Sequence, residues 1–174
     1  MLWLISAGAF LDAFDIDLAG GVIALRDGWA VTGISRRVPG MESPRFSHIA
    51  LDLSRAGRDD LRAALDGMPV TVFVHAAGLL RPGSLGEAAA GDGAAMWRLH
   101  VEAASMLADV VVPGMPTGGR IVLIGSRTAS GAGGRSQYAA TKAALVGLAR
   151  SPAPLRRRAC RPSAASCSPK KWQR

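Results

Sequence analysis

Three residues between positions 119 and 145 have the types and the spacing that acid–base chemistry requires. Ser126 follows a short apolar run, Tyr138 comes twelve residues later, and Lys142 lies four residues beyond the tyrosine. Residues four apart share one face of a helix, so the ammonium of Lys142 can approach the phenol of Tyr138 and favour its ionised form. A phenol in this setting is suited to general acid–base catalysis, and the Ser126 hydroxyl could hold a substrate oxygen.

A tyrosine four residues before a lysine is weak evidence alone, because ordinary helix surfaces produce many such pairs. A surface Tyr138 with a merely structural Ser126 is therefore the alternative. The conjunction favours chemistry, since Tyr138 is the only tyrosine of the chain and Ser126 ends an apolar run typical of a buried strand.

The elements that would position these side chains alternate along the chain. Short β-branched runs predict strands at Met1–Ile5, Trp29–Ile34, His48–Leu51, Val70–Val74 and Arg120–Ile124. Helical spacing predicts helices at Val22–Arg26, Arg58–Leu65, Glu87–Val112 and Gln137–Arg150, the third open to interruption at Gly91 and Gly93. Alternating strands and helices indicate an α/β fold, a parallel sheet between two layers of helices. Ser126 would then lie at the carboxyl end of a strand, where such sheets place their sites.

The order and spacing of Ser126, Tyr138 and Lys142 resemble those of the short-chain dehydrogenase/reductase family. The resemblance covers about residues 20–150 and implies a Rossmann-like fold with NAD(P)-dependent hydride transfer to a ketone or from a secondary alcohol. It implies that Tyr138 protonates the carbonyl oxygen, that Lys142 supports the phenol and holds the ribose, and that Ser126 orients the substrate. Neither the identity of this small carbonyl or alcohol nor the direction of the reaction follows from the sequence.

Two further stretches match the family in part. Val70–Val74 leads into the tetrapeptide at residues 75–78, where Ala77 and Gly78 agree with the family's Asn-Asn-Ala-Gly segment beside the cofactor. His75 departs from that pattern, although a histidine can still hydrogen-bond the backbone. His100 stands where the family has an asparagine that holds a water for proton relay, so it could relay protons or be a buried histidine with its hydrogen bonds satisfied.

Cofactor preference is expected from the residues after the second strand, Ser35, Arg36 and Arg37. Arginines suit the 2′-phosphate of NADP, so NADP is favoured, with NAD as an alternative and an exposed basic turn as the non-functional explanation. Asp52 and Leu53 match the family position that contacts the adenine ring. The resemblance also implies homo-oligomers through the helices at Glu102–Val112 and Gln137–Arg150.

The resemblance weakens at both ends of the chain. The family's glycine-rich turn, Thr-Gly-x-x-x-Gly-x-Gly, has only fragments here, at residues 6–9 and 19–21. Residues 1–150 are predicted to form one catalytic domain, irregular over 1–19, and the family's later elements are expected to be missing. A slipped reading frame at each end is one hypothesis. A catalytically inactive remnant of such an enzyme is therefore the main alternative function.

The net charge of +8 belongs almost entirely to residues 151–174, which carry seven arginines and lysines and no acidic residue. This basic tail is predicted to be disordered and solvated, which leaves nucleic-acid binding as a weaker alternative.

Cys160 and Cys167 also lie in this tail, with no histidine nearby, so neither a metal site nor a disulfide scaffold is expected. No apolar run could span a membrane and no secretory signal is evident, so a cytoplasmic protein is predicted.

Overall fold

A computed structural model of the protein describes the backbone of residues 2–6 and the whole of residues 22–151. The glycine fragments that follow the first strand lie outside the described residues. So does the basic tail beyond Ser151, with both cysteines.

Five parallel strands form one sheet. They are β1 (Leu2–Ser6), β2 (Ala30–Ser35), β3 (Phe46–Ala50), β4 (Val70–His75) and β5 (Arg120–Leu123), in the order β3-β2-β1-β4-β5. In the register, Ser6 pairs with Ile34 of β2 and with His75 of β4, while His75 pairs with Leu123 of β5. The carboxyl ends of these strands therefore meet at one edge, and the chain order reverses beside β1, where open α/β sheets bind their ligands.

Helices connect the strands. The described part of α1 covers residues 22–26. The others are α2 (Arg58–Leu65), α3 (Ala90–Trp97), α4 (Ala103–Val111) and α5 (Ser136–Arg150), with 3-10 turns at Val112–Gly114 and Arg127–Ser130. Between α3 and α4 lies a π-helical turn, Arg98–Glu102, in which backbone hydrogen bonds reach one residue further than in an α-helix.

The apolar residues form a core on each face of the sheet. On one face, Phe73 and Ile34 pack among side chains of α2 and α4, such as Leu61 and Leu107. On the other, Ala24 and Leu25 of α1 pack with Val31. The helix α5 contacts α3, the π turn and β5. The predicted three-layer α/β arrangement is thus confirmed.

The sequence located these elements to within a few residues, apart from one helix. The helix predicted over Glu87–Val112 was open to interruption at Gly91 and Gly93. It begins at Ala90, keeps both glycines inside α3 and is divided by the π turn instead. None of the helices in the described ranges, residues 22–151, is long and apolar enough to cross a membrane.

Candidate active site

The helix α5 carries Tyr138 and Lys142 on its buried face. Their exposed fractions are 9% and 4%, and the ammonium nitrogen of Lys142 lies 5.9 Å from the centroid of the Tyr138 ring. Lys142 Nζ also donates a hydrogen bond to the carbonyl oxygen of Ile124, at 2.9 Å. This bond fixes the lysine at the carboxyl end of β5, two residues before Ser126, and brings the predicted serine segment, tyrosine and lysine into one region.

Ser126 begins the 3-10 turn Arg127–Ser130. Its Oγ accepts a hydrogen bond from the backbone N–H of Thr128 at 3.2 Å and lies 2.9 Å from Thr128 Oγ1. The side chain is half-buried. These local contacts satisfy the free donor at the start of the turn and hold the hydroxyl at the strand end.

The loop after β4 is tied to the start of α5. Gly83 N–H donates to the carbonyl of Gly134 at 2.8 Å, and both the N–H and the hydroxyl of Ser136 donate to the carbonyl of Gly83. Gly134 has a φ of +67°, a conformation that glycine adopts without steric cost. The loop after β4 and the start of α5, two residues before Tyr138, are therefore held together by these hydrogen bonds.

His75, the last residue of β4, is buried and faces the π turn. Its Nε2 lies 3.2 Å from the carbonyl oxygen of Leu99, and because a carbonyl only accepts, Nε2 carries the hydrogen. The expected hydrogen bond from His75 to the backbone is present. Burial, with the nearby positive charge of Lys142, lowers the His75 pKa to about 4. The ring is therefore neutral at neutral pH.

His100 lies inside the π turn and is fully buried. Its Nε2 accepts the backbone N–H of Leu79 at 2.8 Å, and its Nδ1 lies 2.8 Å from Thr141 Oγ1. Its ring also stands edge-on to Tyr138, with centroids 5.5 Å apart. Burial, followed by the charge of Lys142, lowers the His100 pKa to about 3. The structure thus places His100 next to Tyr138 with both ring nitrogens engaged; its role as a relay stays a prediction.

The predicted cofactor turn lies at the carboxyl end of β2. Arg36 and Arg37 are exposed, and neither forms an ion pair with an acidic residue of the described part of the chain. Ser35 Oγ donates to the carbonyl of Arg37 at 2.6 Å and lies 3.0 Å from Nε2 of His48. The serine thus shapes the turn that presents the two guanidinium groups.

The remaining predicted cofactor residues differ in exposure. Asp52 accepts hydrogen bonds from the N–H and hydroxyl of Ser54. Burial raises the Asp52 pKa, but these hydrogen bonds and the nearby Arg36 outweigh it, so the net shift is downward. Leu53, Ala77 and Gly78 are buried, and the side chains of the first two belong to the core. Only the backbone of Leu53 could therefore touch an adenine, and that contact stays a prediction.

Sequence reasoning missed Thr141 and the backbone groups of Leu79 and Ile124. Thr141 is 4% exposed, and its hydroxyl donates to the Tyr138 carbonyl at 2.9 Å. Its position three residues after the tyrosine, on the same helix face, was the available signal. The sequence contains no signal for the two backbone groups, because their positions depend on the conformation of the loops. Within residues 22–151, no cluster of histidine, cysteine or acidic residues could hold a metal ion.

Comparison with known proteins agrees with this geometry. The family model for short chain dehydrogenases matches residues 37–157, more than half of the chain. No curated protein matches the sequence.

Solved structures give the same fold. A double mutant of a Serratia marcescens short-chain dehydrogenase/reductase is 25% identical with a TM-score of 0.72, over 84% of this chain and 67% of that one. A short-chain dehydrogenase/reductase from Burkholderia vietnamiensis is 28% identical with a TM-score of 0.65, over 85% and 77%.

The ligand-free aldohexose dehydrogenase of Thermoplasma acidophilum shares the fold alone, at 21% identity with a TM-score of 0.72, over 84% of this chain and 58% of that one. The chain thus spans between 58% and 77% of the length of these three proteins. With a Ser126, Tyr138 and Lys142 arrangement on a Rossmann-like sheet and a family match over most of its length, the chain belongs to the short-chain dehydrogenase family.

Proposed function

We propose that this protein is an NADP-preferring oxidoreductase that interconverts a ketone and a secondary alcohol. The observation that carries the proposal is the position of Lys142, whose Nζ is bonded to Ile124 at the end of β5 and lies beside the ring of Tyr138. One buried cation thus connects the strand that leads to Ser126 with the phenol. We propose that residues 1–150 form the catalytic domain.

The reaction assigns one task to each side chain. When bound, the nicotinamide supplies or accepts the hydride. In reduction, Tyr138 gives the proton of its hydroxyl to the carbonyl oxygen as the hydride reaches the carbonyl carbon, and a phenolate remains. The positive charge of Lys142 favours that phenolate, and the Ser126 hydroxyl holds the substrate oxygen.

The residues at the end of β2 fit the phosphate of NADP. Two exposed guanidinium groups that form no ion pair in the described ranges suit a doubly charged phosphate. Asp52 lies close enough to interact with Arg36, and its carboxylate is held by Ser54. Arg36 and Arg37 would hold the 2′-phosphate, and Asp52 the adenine side of the site.

The first experiment is titration of the protein with NADPH and, separately, NADH, followed by nicotinamide fluorescence. Saturable binding that is tighter for NADPH supports the proposal. Absence of binding at millimolar cofactor would contradict it and favour the inactive remnant.

A screen of carbonyl substrates then compares the protein with its Tyr138→Phe variant. Phenylalanine keeps the ring that packs against His100 and removes only the hydroxyl. We expect kcat to fall by about 100-fold or more, the usual contribution of a positioned general acid, with NADPH affinity unchanged. Equal kcat values for the two proteins would remove Tyr138 from the mechanism.

A further inference from the structure

His100 makes two hydrogen bonds whose donors and acceptors can be assigned. The backbone N–H of Leu79 can only donate, so Nε2 of His100 must be the acceptor and carry no hydrogen. A neutral imidazole then has its hydrogen on Nδ1, which donates to Thr141 Oγ1 at 2.8 Å. The Thr141 hydroxyl donates its own hydrogen onward to the carbonyl of Tyr138 at 2.9 Å. Each donor in this series of hydrogen bonds, from Leu79 through His100 and Thr141 to the Tyr138 carbonyl, therefore has an acceptor.

The same assignment argues against proton transfer through His100. A relay would require Nε2 to take up a proton, which would set an imidazolium N–H against the N–H of Leu79. Two donors would then face each other in a fully buried site, without an acceptor between them. The backbone N–H cannot release its hydrogen to resolve this conflict.

The position of His100 gives it another task. The imidazole joins the loop after β4, through Leu79, to α5, through Thr141, and its own backbone belongs to the π turn. The rings of His100 and Tyr138 also pack in a T-shaped arrangement, with an interplanar angle of 87°. One side chain therefore joins the loop after β4, the π turn and the helix that carries Tyr138.

We propose that His100 is a positioning residue whose neutral, Nδ1-protonated ring links Leu79 to Thr141 and so holds Tyr138 in place, and that Thr141 is the partner on α5. The structural part stands on geometry alone, and the kinetic part rests on the proposed oxidoreductase function.

The structural part is tested by nuclear magnetic resonance on the full chain. The sequence has three histidines and one tyrosine, so selective labelling gives few signals. The histidine signals that disappear in His100→Gln belong to His100. We expect long-range ¹H–¹⁵N correlations to show a hydrogen on Nδ1, with no titration between about pH 5 and 8. A hydrogen on Nε2, or a titration in that range, would overturn the proposal.

Substitutions at Thr141 test the link to Tyr138. Thr141→Val keeps the shape and removes the hydroxyl, whereas Thr141→Ser keeps the hydroxyl and serves as the matched control. Valine removes both hydrogen bonds of the hydroxyl, the one from His100 Nδ1 and the one to the Tyr138 carbonyl. It should shift the single tyrosine ring signal and lower kcat by about tenfold, with the KM for NADPH unchanged. Serine should restore both. An unshifted tyrosine signal in a folded Thr141→Val protein refutes the link, whether or not the chain proves to be an active enzyme.

A double-mutant cycle separates positioning from general packing. If Thr141 acts through His100, Thr141→Val should add little to the effect of His100→Phe on the tyrosine signal and on kcat. Full additivity of the two substitutions would mean that Thr141 acts independently, which contradicts the proposal. His100→Gln provides a milder background should the phenylalanine variant fold poorly, because its amide oxygen can still accept the N–H of Leu79.

Discussion

At the scale of single residues, the proposed preference for NADP depends on two adjacent arginines. Arg36 and Arg37 lie at the carboxyl end of β2, are exposed, and are held in a turn by the hydrogen bond from Ser35 to the Arg37 carbonyl. NADP carries a 2′-phosphate and NAD does not, so removal of either guanidinium should weaken the binding of NADP only.

We expect Arg36→Ala and Arg37→Ala each to weaken NADPH binding by about 10- to 100-fold, the range for a charge-assisted hydrogen bond to phosphate, and to leave NADH binding nearly unchanged. Titrations of both cofactors measure this difference. Arg62→Ala is the matched control, because Arg62 is exposed on α2 and pairs with Asp59, away from the turn after β2. If Arg62→Ala weakened NADPH binding equally, the effect would be one of overall charge, and the assigned phosphate site would be wrong.

The sequence identified Ser126, Tyr138 and Lys142 because their identities and spacing are visible in the chain. It left His100 between two explanations, since the donor at Leu79 and the acceptor at Thr141 lie 21 and 41 residues away. Residue spacing along the chain contains no information about such contacts. The tautomer of a histidine follows from its neighbours in space, and those neighbours are set by the fold.

At the scale of elements, one arginine anchors the π turn that separates α3 from α4. Arg98, at the start of that turn, donates from Nη2 to the carbonyl of Ala56 at 2.7 Å and from Nη1 to Glu102 at 2.9 Å. It thereby connects the loop after β3 with the turn that contains His100. A π turn inserts one residue without changing the apolar composition, so hydrophobic periodicity gave no sign of a break at this position and pointed only to the two glycines.

Arg98→Ala should lower the free energy of unfolding by about 1–3 kcal/mol. The side chain is 29% exposed, and its loss leaves the Ala56 carbonyl without this donor. Urea unfolding followed by circular dichroism gives the value, with the m-value expected to stay constant. The control is Arg55→Ala, whose side chain is 89% exposed and 4.0 Å from Asp52, and which should change stability by less than about 0.5 kcal/mol. A similar loss in both variants would contradict the anchoring role of Arg98.

At the scale of the whole molecule, the proposed site lies where the five strands end, and buried polar groups hold its layers together. His75 at the end of β4 donates to the carbonyl of Leu99, and His100 joins the loop after β4 to α5. The positive charge of the buried Lys142 ammonium acts on both rings and disfavours a second and third cation in the same core. Folding therefore requires both histidines to be neutral.

This requirement predicts a loss of stability in mild acid. The pKa values of His75 and His100 are lowered from 6.5 to about 4 and about 3, so between these values and 6.5 the unfolded chain binds protons that the folded protein excludes. The unfolding free energy should therefore be constant above about pH 7 and fall as the pH decreases, by at most about 1.4 kcal/mol per pH unit for each histidine. Asp52 acts in a separate window, because its lowered pKa costs stability only as the pH falls below 3.8.

The measurement is urea unfolding at several values between about pH 7.5 and 5, repeated with His75→Gln. Glutamine can donate to the Leu99 carbonyl through its amide but does not titrate, so the slope of stability against pH should fall by about one proton equivalent. Because the glutamine variant loses some stability at every pH, the slope and not the absolute value is the informative quantity. An unchanged slope in His75→Gln would mean that the ring binds its proton equally in the folded and unfolded states, and the neutral His75 inferred from its burial and from the charge of Lys142 would have to be abandoned.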